Sequence, residues 1–341
     1  MIRAASLVLA LAVAGLDSDA IDTAARQLPR LHSLLVSQHG DLILERYYNR
    51  RRATQPDNIK SASKSVISAL VGIAIDRKLI ADVRSPIVNY FPELAMDPDA
   101  RKRTITVEDL LTMRSGLEGT SNVNYGAWVT SRNWVQHALA RPIFATPGAT
   151  MEYSTGNSHL LSAILTKATG MSTRQFANEA LFKPLGSAVP EWPRDPQGIY
   201  FGGNDMLMTP RQMVAFGELY LNRGRFGGRQ IVPERWVAKS CEGRTREFRP
   251  GERTGRRIRT EFVDPMRDRK YGYSWWVHEL GGYDTCFAWG YGGQYIFVVP
   301  DLDMVIVATA SPDVSEERRG HRQQVFDILL RYVVQPLLPT R

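Results

Sequence analysis

The chain has 341 residues, of which 43% are hydrophobic and 23% charged, the composition of a globular protein long enough to bury a large core. Its formal net charge is +8, but acidic residues interrupt the densest basic stretch, residues 244–270, so we do not expect nucleic-acid binding. Two cysteines, Cys241 and Cys286, exclude a cysteine-based metal site and a disulfide framework. One disulfide could form, and two free buried thiols fit the count better.

The first residues have the features of an export signal. Arg3 supplies one positive charge, an apolar run follows at residues 4–14, and Ala12-Val13-Ala14 is a small-residue pattern of the kind that precedes cleavage. We therefore predict a signal peptide within residues 1–20 and a periplasmic or secreted bacterial protein. The alternative is an amphipathic N-terminal helix that packs on the body of a cytoplasmic protein. No later apolar run is long enough to span a membrane.

The chain then turns to a β-strand pattern. Residues 34–37 and 42–48 have a strand pattern and flank residues 38–41, which have the composition of a turn, so the sequence predicts a β-hairpin. A polar loop at 49–60 leads into the apolar segment 65–75. This segment is too long for an ordinary strand and apolar on nearly every side, so it is predicted to be a buried helix.

Helix patterns dominate the middle of the chain, and strand patterns return near its end. Helices are predicted at 86–92, 106–113, 133–139, 157–168, after Ser172, at 209–221 and at 316–334, with a loop at 118–132 and strands at 271–277, 285–288, 294–299 and 304–309. We therefore predict an α/β (α+β) fold in which residues 21–80 and 240–341 form an antiparallel sheet domain flanked by N- and C-terminal helices. Residues 81–239 would form a mainly helical inserted domain.

The motif Ser61-Ala62-Ser63-Lys64 opens the predicted buried helix. Positions i and i+3 share one face of a helix, so the Ser61 hydroxyl and the Lys64 amine can meet. Burial disfavours a charged amine and makes a lysine a usable base, while free backbone N–H groups at a helix start can hold an oxyanion. This is the S-x-x-K arrangement of serine hydrolases that use no histidine. An N-cap serine followed by a lysine that reaches to water would have the same spacing.

Two further stretches are candidates for the same site. Tyr153 lies in the stretch 152–158, just before a predicted helix, and beside a cationic lysine its phenolate could pass protons to a leaving group. Packing of a loop on that helix is the alternative. The stretch 289–293 places three glycines in a strand context. Such glycines indicate either close approach of the backbone to a ligand or a tight turn.

Together, and in this order, the three motifs resemble the serine β-lactamases, DD-peptidases and related esterases. The resemblance is greatest to the class C β-lactamase-like branch, which includes carboxylesterases and 6-aminohexanoate-dimer hydrolase. It covers residues 31–341, and the phrases at 106–117 and 202–210 support it. The resemblance implies a β-lactamase/transpeptidase-like fold and a serine hydrolase that forms an acyl-enzyme and needs no cofactor.

The resemblance also implies a role for each motif. Ser61 would be the nucleophile, and Lys64 would take its proton. Tyr153 would relay protons to the leaving group and later activate water. The backbone N–H groups of Ser61 and Tyr291 would form the oxyanion hole.

The sequence departs from the β-lactamase pattern at two motifs. Ala288-Trp289-Gly290 aligns with Lys-Thr-Gly, so the cation that helps to hold the substrate carboxylate is missing. The asparagine that class C enzymes carry two residues after the tyrosine is Thr155 here, and Asn157 comes later. Trp289 suits apolar or extended acyl groups better than a bicyclic lactam acid. We therefore expect an esterase or amidase that acts on small or linear substrates and has little β-lactamase activity.

Further residues are predicted to contact the substrate. Asn157, Trp289 and Gly290 belong to the motifs themselves. Tyr125 and Trp128 lie on the predicted loop 118–132 and could line the pocket as a lid.

Other functions remain as alternatives. The protein could be a β-lactamase or DD-peptidase, or a non-catalytic penicillin- or peptidoglycan-binding protein that is acylated at Ser61 and stalls. The motifs G-x-S-x-G and H-E-x-x-H are absent from the sequence, which argues against α/β-hydrolases and zinc proteases. The six histidines show no ligand spacing, so we expect no metal site. The expected partner is a small ester or amide substrate.

Overall fold

The computed structural model describes residues 16–246, 268–316 and 320–337. The strands are β1 (Leu31–Gln38), β2 (Asp41–Tyr47), β3 (Asp57–Asn58), β4 (Leu207–Met208), β5 (Arg225–Phe226), β6 (Arg229–Gln230), β7 (Thr245–Arg246), β8 (Lys270–Tyr271), β9 (Trp276–Leu280), β10 (Tyr283–Gly290), β11 (Gln294–Val299) and β12 (Met304–Ala310). The α-helices are α1 (Ser18–Ala25), α2 (Ser63–Asp76), α3 (Val107–Leu111), α4 (Tyr125–Val129), α5 (Trp134–Leu139), α6 (Thr155–Thr169), α7 (Thr173–Ala177), α8 (Pro210–Leu221), α9 (Glu234–Ser240) and α10 (His321–Ile328).

Among the described residues, the two ends of the chain build one antiparallel sheet of eight strands, in the order β2-β1-β12-β11-β10-β9-β8-β7. The helices of the middle of the chain lie between the two groups of strands in sequence. The predicted α+β fold with an antiparallel sheet and an inserted helical region is therefore confirmed. The exact domain boundaries at residues 80 and 240 stay a prediction.

The sheet is covered on both faces. Its central strands β11 and β12 are therefore buried along their whole length. Ile296 and Val298 point to one face and share a hydrophobic cluster with α2 and α8. Tyr295 and Phe297 point to the other face, where both rings contact Phe326 of α10. Successive strand residues point to opposite faces, so an almost unbroken apolar run is what a doubly covered strand requires.

Helix α2 joins the sheet to the inserted region. Residues from Ser63 to Ala74 are all buried, as predicted for this apolar segment. On one side α2 contacts β10, and on the other it contacts α6, which also touches α3 and α5. One continuous hydrophobic cluster runs from the sheet through α2 into the inserted helices. The inserted region therefore shares a core with the sheet, which holds its loops in a fixed position beside α2.

Several predicted elements differ in detail. The strand predicted at 271–277 is interrupted between β8 and β9, because Gly272 lies against the Ser240 carbonyl and Ser274 adopts a left-handed φ of 59° while donating to Leu111. The helix predicted at 86–92 is two short 3₁₀ turns, Ile87–Asn89 and Pro92–Met96, with Pro92 opening the second. The predicted final helix ends in a π-helical turn, Leu329–Val334.

The expectation of free thiols is wrong. Cys241, at the end of α9, and Cys286, in β10, form a disulfide with their Cα atoms 5.4 Å apart. The count of two cysteines allowed this single pairing but could not show that the fold brings positions 45 residues apart together. The bond ties α9 to the strand that leads into the glycine-rich turn.

The N-terminal prediction falls largely outside the described residues. Its last positions overlap α1, which begins at Ser18 and buries Ile21 and Ala25 in the same cluster as α10. Among the described residues, no helix is both long enough and apolar enough to cross a membrane.

Candidate active site

Ser61 and Lys64 meet at the start of α2. Ser61 lies in the 3₁₀ turn Lys60–Ala62, which runs directly into the helix, and Lys64 lies in the first helical turn. The Lys64 Nζ is 3.0 Å from the Ser61 Oγ. The i, i+3 spacing thus produces the contact that it predicted.

The Lys64 amine is almost completely removed from water. Its side chain is 1% exposed, and Nζ also contacts the Gly203 carbonyl oxygen at 2.6 Å and the Thr155 Oγ1 at 3.4 Å. Burial lowers the pKa of Lys64 to about 7, and the charge of Asp205 partly opposes that effect. A large fraction of the amine is therefore neutral near pH 7 and has a lone pair that can accept the Ser61 proton.

Tyr153 forms a second wall of the site. Its ring centroid is 5.0 Å from the Lys64 Nζ, and its ring stacks on Trp276 at 5.7 Å. Trp276 in turn contacts Tyr271 of β8, so strands β8 and β9 support the tyrosine ring. The arrangement brings the aromatic ring of Tyr153 against the amine that contacts Ser61.

A loop of the inserted region fixes the segment that carries Tyr153. The Gly119 N–H donates to the Glu152 Oε1 at 2.8 Å. The Ser121 Oγ lies 2.8 Å from the Thr155 Oγ1, the same hydroxyl that contacts Lys64. The loop therefore connects to the Lys64 amine through two hydroxyl groups.

The end of β10 approaches the nucleophile from the sheet side. A Cβ at Gly290 would lie 2.1 Å from the Ile59 carbonyl oxygen, so only glycine allows this strand to pass so close to the segment that precedes Ser61. Tyr291 follows in the turn between β10 and β11 and is 43% exposed. This placement fits the predicted use of backbone N–H groups at Ser61 and Tyr291 for an oxyanion.

Trp289 and Tyr125 have different surroundings. Trp289 lies on the sheet face that α10 covers, where its ring stacks on Tyr295 and lies against Arg322. Trp289 is half-buried and contacts Trp276, the residue on which Tyr153 stacks. Tyr125 is half-buried on α4, and its hydroxyl accepts a hydrogen bond of 2.7 Å from Asn204. Ala288, which stands where β-lactamases have a lysine, is 1% exposed and supplies no charge.

Two predicted substrate contacts are placed elsewhere. Trp128 is fully buried: it donates from its indole N–H to the Trp134 carbonyl and packs on Trp134 and Phe201. The segment predicted as a loop is helical there, and it turns this ring inward. Asn157 is 2% exposed, and its Oδ1 accepts a hydrogen bond from Ser115. Both side chains are therefore buried, and neither is exposed to an incoming substrate.

The sequence motifs missed two partners of Lys64. In the sequence, Thr155 differs from the class C pattern by replacing an asparagine, and Gly203 belongs to the stretch 202–210, whose pattern indicates no role for a single residue. The spacing of residues 153–155 next to a helix start could have indicated the first. The second is a backbone carbonyl 139 positions from Lys64, which no local pattern indicates.

Comparisons with known proteins agree with this architecture. The family model described as β-lactamase matches residues 21–330. The 6-aminohexanoate-dimer hydrolase of Paenarthrobacter ureafaciens is 24% identical over 330 residues, which cover 89% of this chain and 81% of the relative.

Solved structures show the same fold. EstCE1, described as a hydrolase with promiscuous acyltransferase activity, superposes with a TM-score of 0.70 at 16% identity and covers 92% of this chain and 98% of its own. A class C β-lactamase from Rhodobacter sphaeroides gives a TM-score of 0.64 at 16% identity, covering 92% of this chain and 99% of its own. With a family model that spans most of its length, this chain belongs to the β-lactamase family, a family of hydrolases.

Proposed function

We propose that the protein is a serine hydrolase that cleaves ester or amide bonds of small or linear substrates through an acyl-enzyme on Ser61. The observation that carries the proposal is the buried Lys64 amine, which lies 3.0 Å from the Ser61 hydroxyl and is partly neutral near pH 7. A serine hydroxyl is a weak nucleophile until a neighbouring base takes its proton.

The reaction follows from these positions. Neutral Lys64 accepts the Ser61 proton while Oγ attacks the substrate carbonyl carbon, and the carbonyl oxygen becomes an oxyanion that the backbone N–H groups of Ser61 and Tyr291 would stabilise. Collapse of this intermediate breaks the bond to the leaving group, which takes a proton from Tyr153. In the second half, water gives a proton to the Tyr153 phenolate and attacks the acyl carbon. The bond from the acyl carbon to the Ser61 Oγ then breaks, Lys64 returns its proton to that oxygen, and the acid is released.

Two features favour esters or linear amides over β-lactams. No cation replaces the lysine of the β-lactamase motif at Ala288. The bulky Trp289 stands next in the same strand, where the β-lactamase motif has a threonine. The names of the relatives, a 6-aminohexanoate-dimer hydrolase and a hydrolase with acyltransferase activity, fit this preference.

The test is hydrolysis of p-nitrophenyl butyrate by the wild type and by Ser61→Ala, side by side. We expect the variant to lose roughly a thousandfold or more of kcat/KM, because removal of the nucleophile removes the acyl-enzyme route. Ser63→Ala, two positions later on the same turn, is the matched control and should retain activity. Equal rates for wild type and Ser61→Ala would exclude Ser61 as the nucleophile.

Nitrocefin separates the proposed activity from the β-lactamase alternative. We expect its turnover to be far slower than that of the butyrate ester, since the site lacks the carboxylate-binding lysine. Rapid nitrocefin hydrolysis by the purified protein would overturn the ester or amide preference. Stable acylation by a penicillin, with no turnover of either substrate, would instead support the binding-protein alternative.

A further inference from the structure

The segment 203–205 touches three other parts of the site with three consecutive residues. The Gly203 carbonyl accepts from the Lys64 Nζ at 2.6 Å, and the Asn204 side chain donates to the Tyr125 hydroxyl at 2.7 Å. The next residue, Asp205, accepts at 2.7 Å from Lys60, the residue immediately before the nucleophile. The mechanism above uses none of these contacts, although the segment lies against the base itself.

Asp205 and Lys60 lock two unusual backbone conformations together. Lys60 has a φ of 48° and Asp205 a φ of 58°, values that side-chain-bearing residues adopt only when their surroundings hold them there. The Asp205 Oδ1 accepts from both the Lys60 Nζ and the Asn58 Nδ2, at 2.7 and 2.8 Å. The pair thus connects the turn that carries Ser61 to the loop that carries the Gly203 carbonyl.

Asp205 also supplies a charge that acts on Lys64. In the part of the chain that the structure describes, the Lys64 amine contacts the hydroxyls of Ser61 and Thr155, the Gly203 carbonyl and the Tyr153 ring. The two hydroxyls and the carbonyl carry no formal charge. Asp205 acts on the amine by its charge, and Lys60 is the cation paired with Asp205. Their side chains are 23% and 24% exposed, so water screens their charges only in part.

We propose that Asp205 and Lys60 are positioning residues of this active site, whose ion pair holds the Gly203 carbonyl against Lys64 and balances the charge beside that amine. The inference rests on the proposed function, because it needs Lys64 as the base. The carboxylate favours the ammonium form of Lys64, and Lys60 offsets that influence. Removing either partner alone should therefore shift the protonation of Lys64, and the two shifts should have opposite signs.

The experiment measures the acid limb of the pH profile of kcat/KM with p-nitrophenyl butyrate. Asp205→Asn keeps the size and one acceptor oxygen, and we expect it to move the apparent pKa down by roughly 0.5 to 1 pH unit. Lys60→Met removes the offsetting cation and should raise the apparent pKa of the acid limb. Asp76→Asn is the matched control: it removes the carboxylate of the exposed Asp76–Arg235 pair at the far end of α2, roughly 18 Å from Lys64 along the helix, and should move nothing.

A second readout keeps the test independent of turnover. The rate at which a fluorophosphonate probe labels Ser61, followed by intact mass, needs proton transfer to Lys64 but no deacylation. Failure of ester hydrolysis with normal labelling would count against the proposed function alone, and the pH limb of labelling would still decide the role of the pair. Opposite shifts support the inference. If the apparent pKa of the acid limb is unchanged in folded Asp205→Asn and Lys60→Met, the inference is overturned. A uniform loss of rate at every pH, with the apparent pKa unchanged, has the same meaning. If one variant does not fold, the other alone decides.

Discussion

Lys64 shows how a single residue can be costly to the fold and useful to the reaction. Taking an ammonium group out of water disfavours its charged form, and here one carbonyl and two hydroxyls replace the lost water only in part. A neutral amine in the same place loses little, so the fold itself prepares a base. The physical origin of the chemistry at this residue is therefore its burial between α2 and α6.

The protonation of Lys64 predicts a pH dependence. Because the burial of Lys64 lowers its pKa to about 7, the amine is protonated and inactive as a base below that pH and neutral above it. We expect kcat/KM for p-nitrophenyl butyrate to rise with pH through an apparent pKa near 7 and then level off. Lys64→Arg should lose about 10²- to 10⁴-fold, because a guanidinium stays protonated and cannot accept the serine proton.

Lys239→Arg is the control for that substitution, since Lys239 pairs with Glu242 on the surface, away from the site. Its pH profile should match that of the wild type. A flat profile for the wild type, or full activity in Lys64→Arg, would show that another group serves as the base.

Among the contacts of the site, the sequence predicted the one between residues that are close in the chain and missed those between residues that are far apart. The Ser61–Lys64 contact follows from helix geometry alone. The carbonyl of Gly203 and the hydroxyl of Thr155 depend on how the inserted region packs on α2, which no local pattern contains. The prediction that Trp128 lines the pocket is wrong for the same reason. A polar stretch between helices does not indicate that this ring faces the core.

Among the elements, α4 separates a packing residue from a site residue within one turn. Trp128 and Tyr125 contact each other with ring centroids 6.0 Å apart, yet they have different surroundings. The Trp128 ring lies among Trp134, His159 and Phe201, in the core of the inserted region. The Tyr125 hydroxyl instead reaches Asn204, next to the carbonyl that holds Lys64.

These surroundings predict that one substitution changes mainly the stability and another changes mainly KM. Trp128→Ala should lower the free energy of unfolding by about 3 to 5 kcal/mol, because it leaves a cavity in a packed cluster, and should leave KM unchanged in the folded fraction. Tyr125→Phe removes one hydroxyl and should cost only about 1 kcal/mol while it changes KM. Urea unfolding and ester kinetics on both variants would check this. A changed KM in Trp128→Ala at unchanged stability would restore the lid hypothesis for that residue.

The order of elements was easier to predict than their boundaries. Alternating and continuous apolar runs located the central strands, and Thr106 and Thr209 marked the starts of α3 and α8, where both form capping boxes. The break between β8 and β9 was missed because it arises from the approach of α9, whose Ser240 carbonyl lies against Gly272. Tertiary contact, which strand propensity does not describe, sets that boundary.

For the whole molecule, the shared core and the disulfide act on the same strand. The continuous hydrophobic cluster holds α2 against β10. The bond from Cys241 to Cys286 attaches the end of α9 to the middle of the same strand. A disulfide persists in oxidising compartments, which supports our proposal that the protein works in the periplasm or outside the cell. Detection of the protein in a periplasmic or culture fraction, with its thiols unreactive, would check this.

The disulfide should contribute measurably to stability through the unfolded chain. A cross-link between positions 45 residues apart restricts the unfolded ensemble, and the loop-entropy relation gives about 4 kcal/mol for a loop of that length. We expect the double variant Cys241→Ala/Cys286→Ala, and the reduced wild type, to unfold at lower urea concentration than the oxidised wild type. The double variant should also be insensitive to reductant, which distinguishes loss of the cross-link from a general effect of the reagent. Identical unfolding midpoints for oxidised and reduced wild type would mean that packing of α9 and α2 alone fixes β10, and that the bond adds no restraint the core does not already supply.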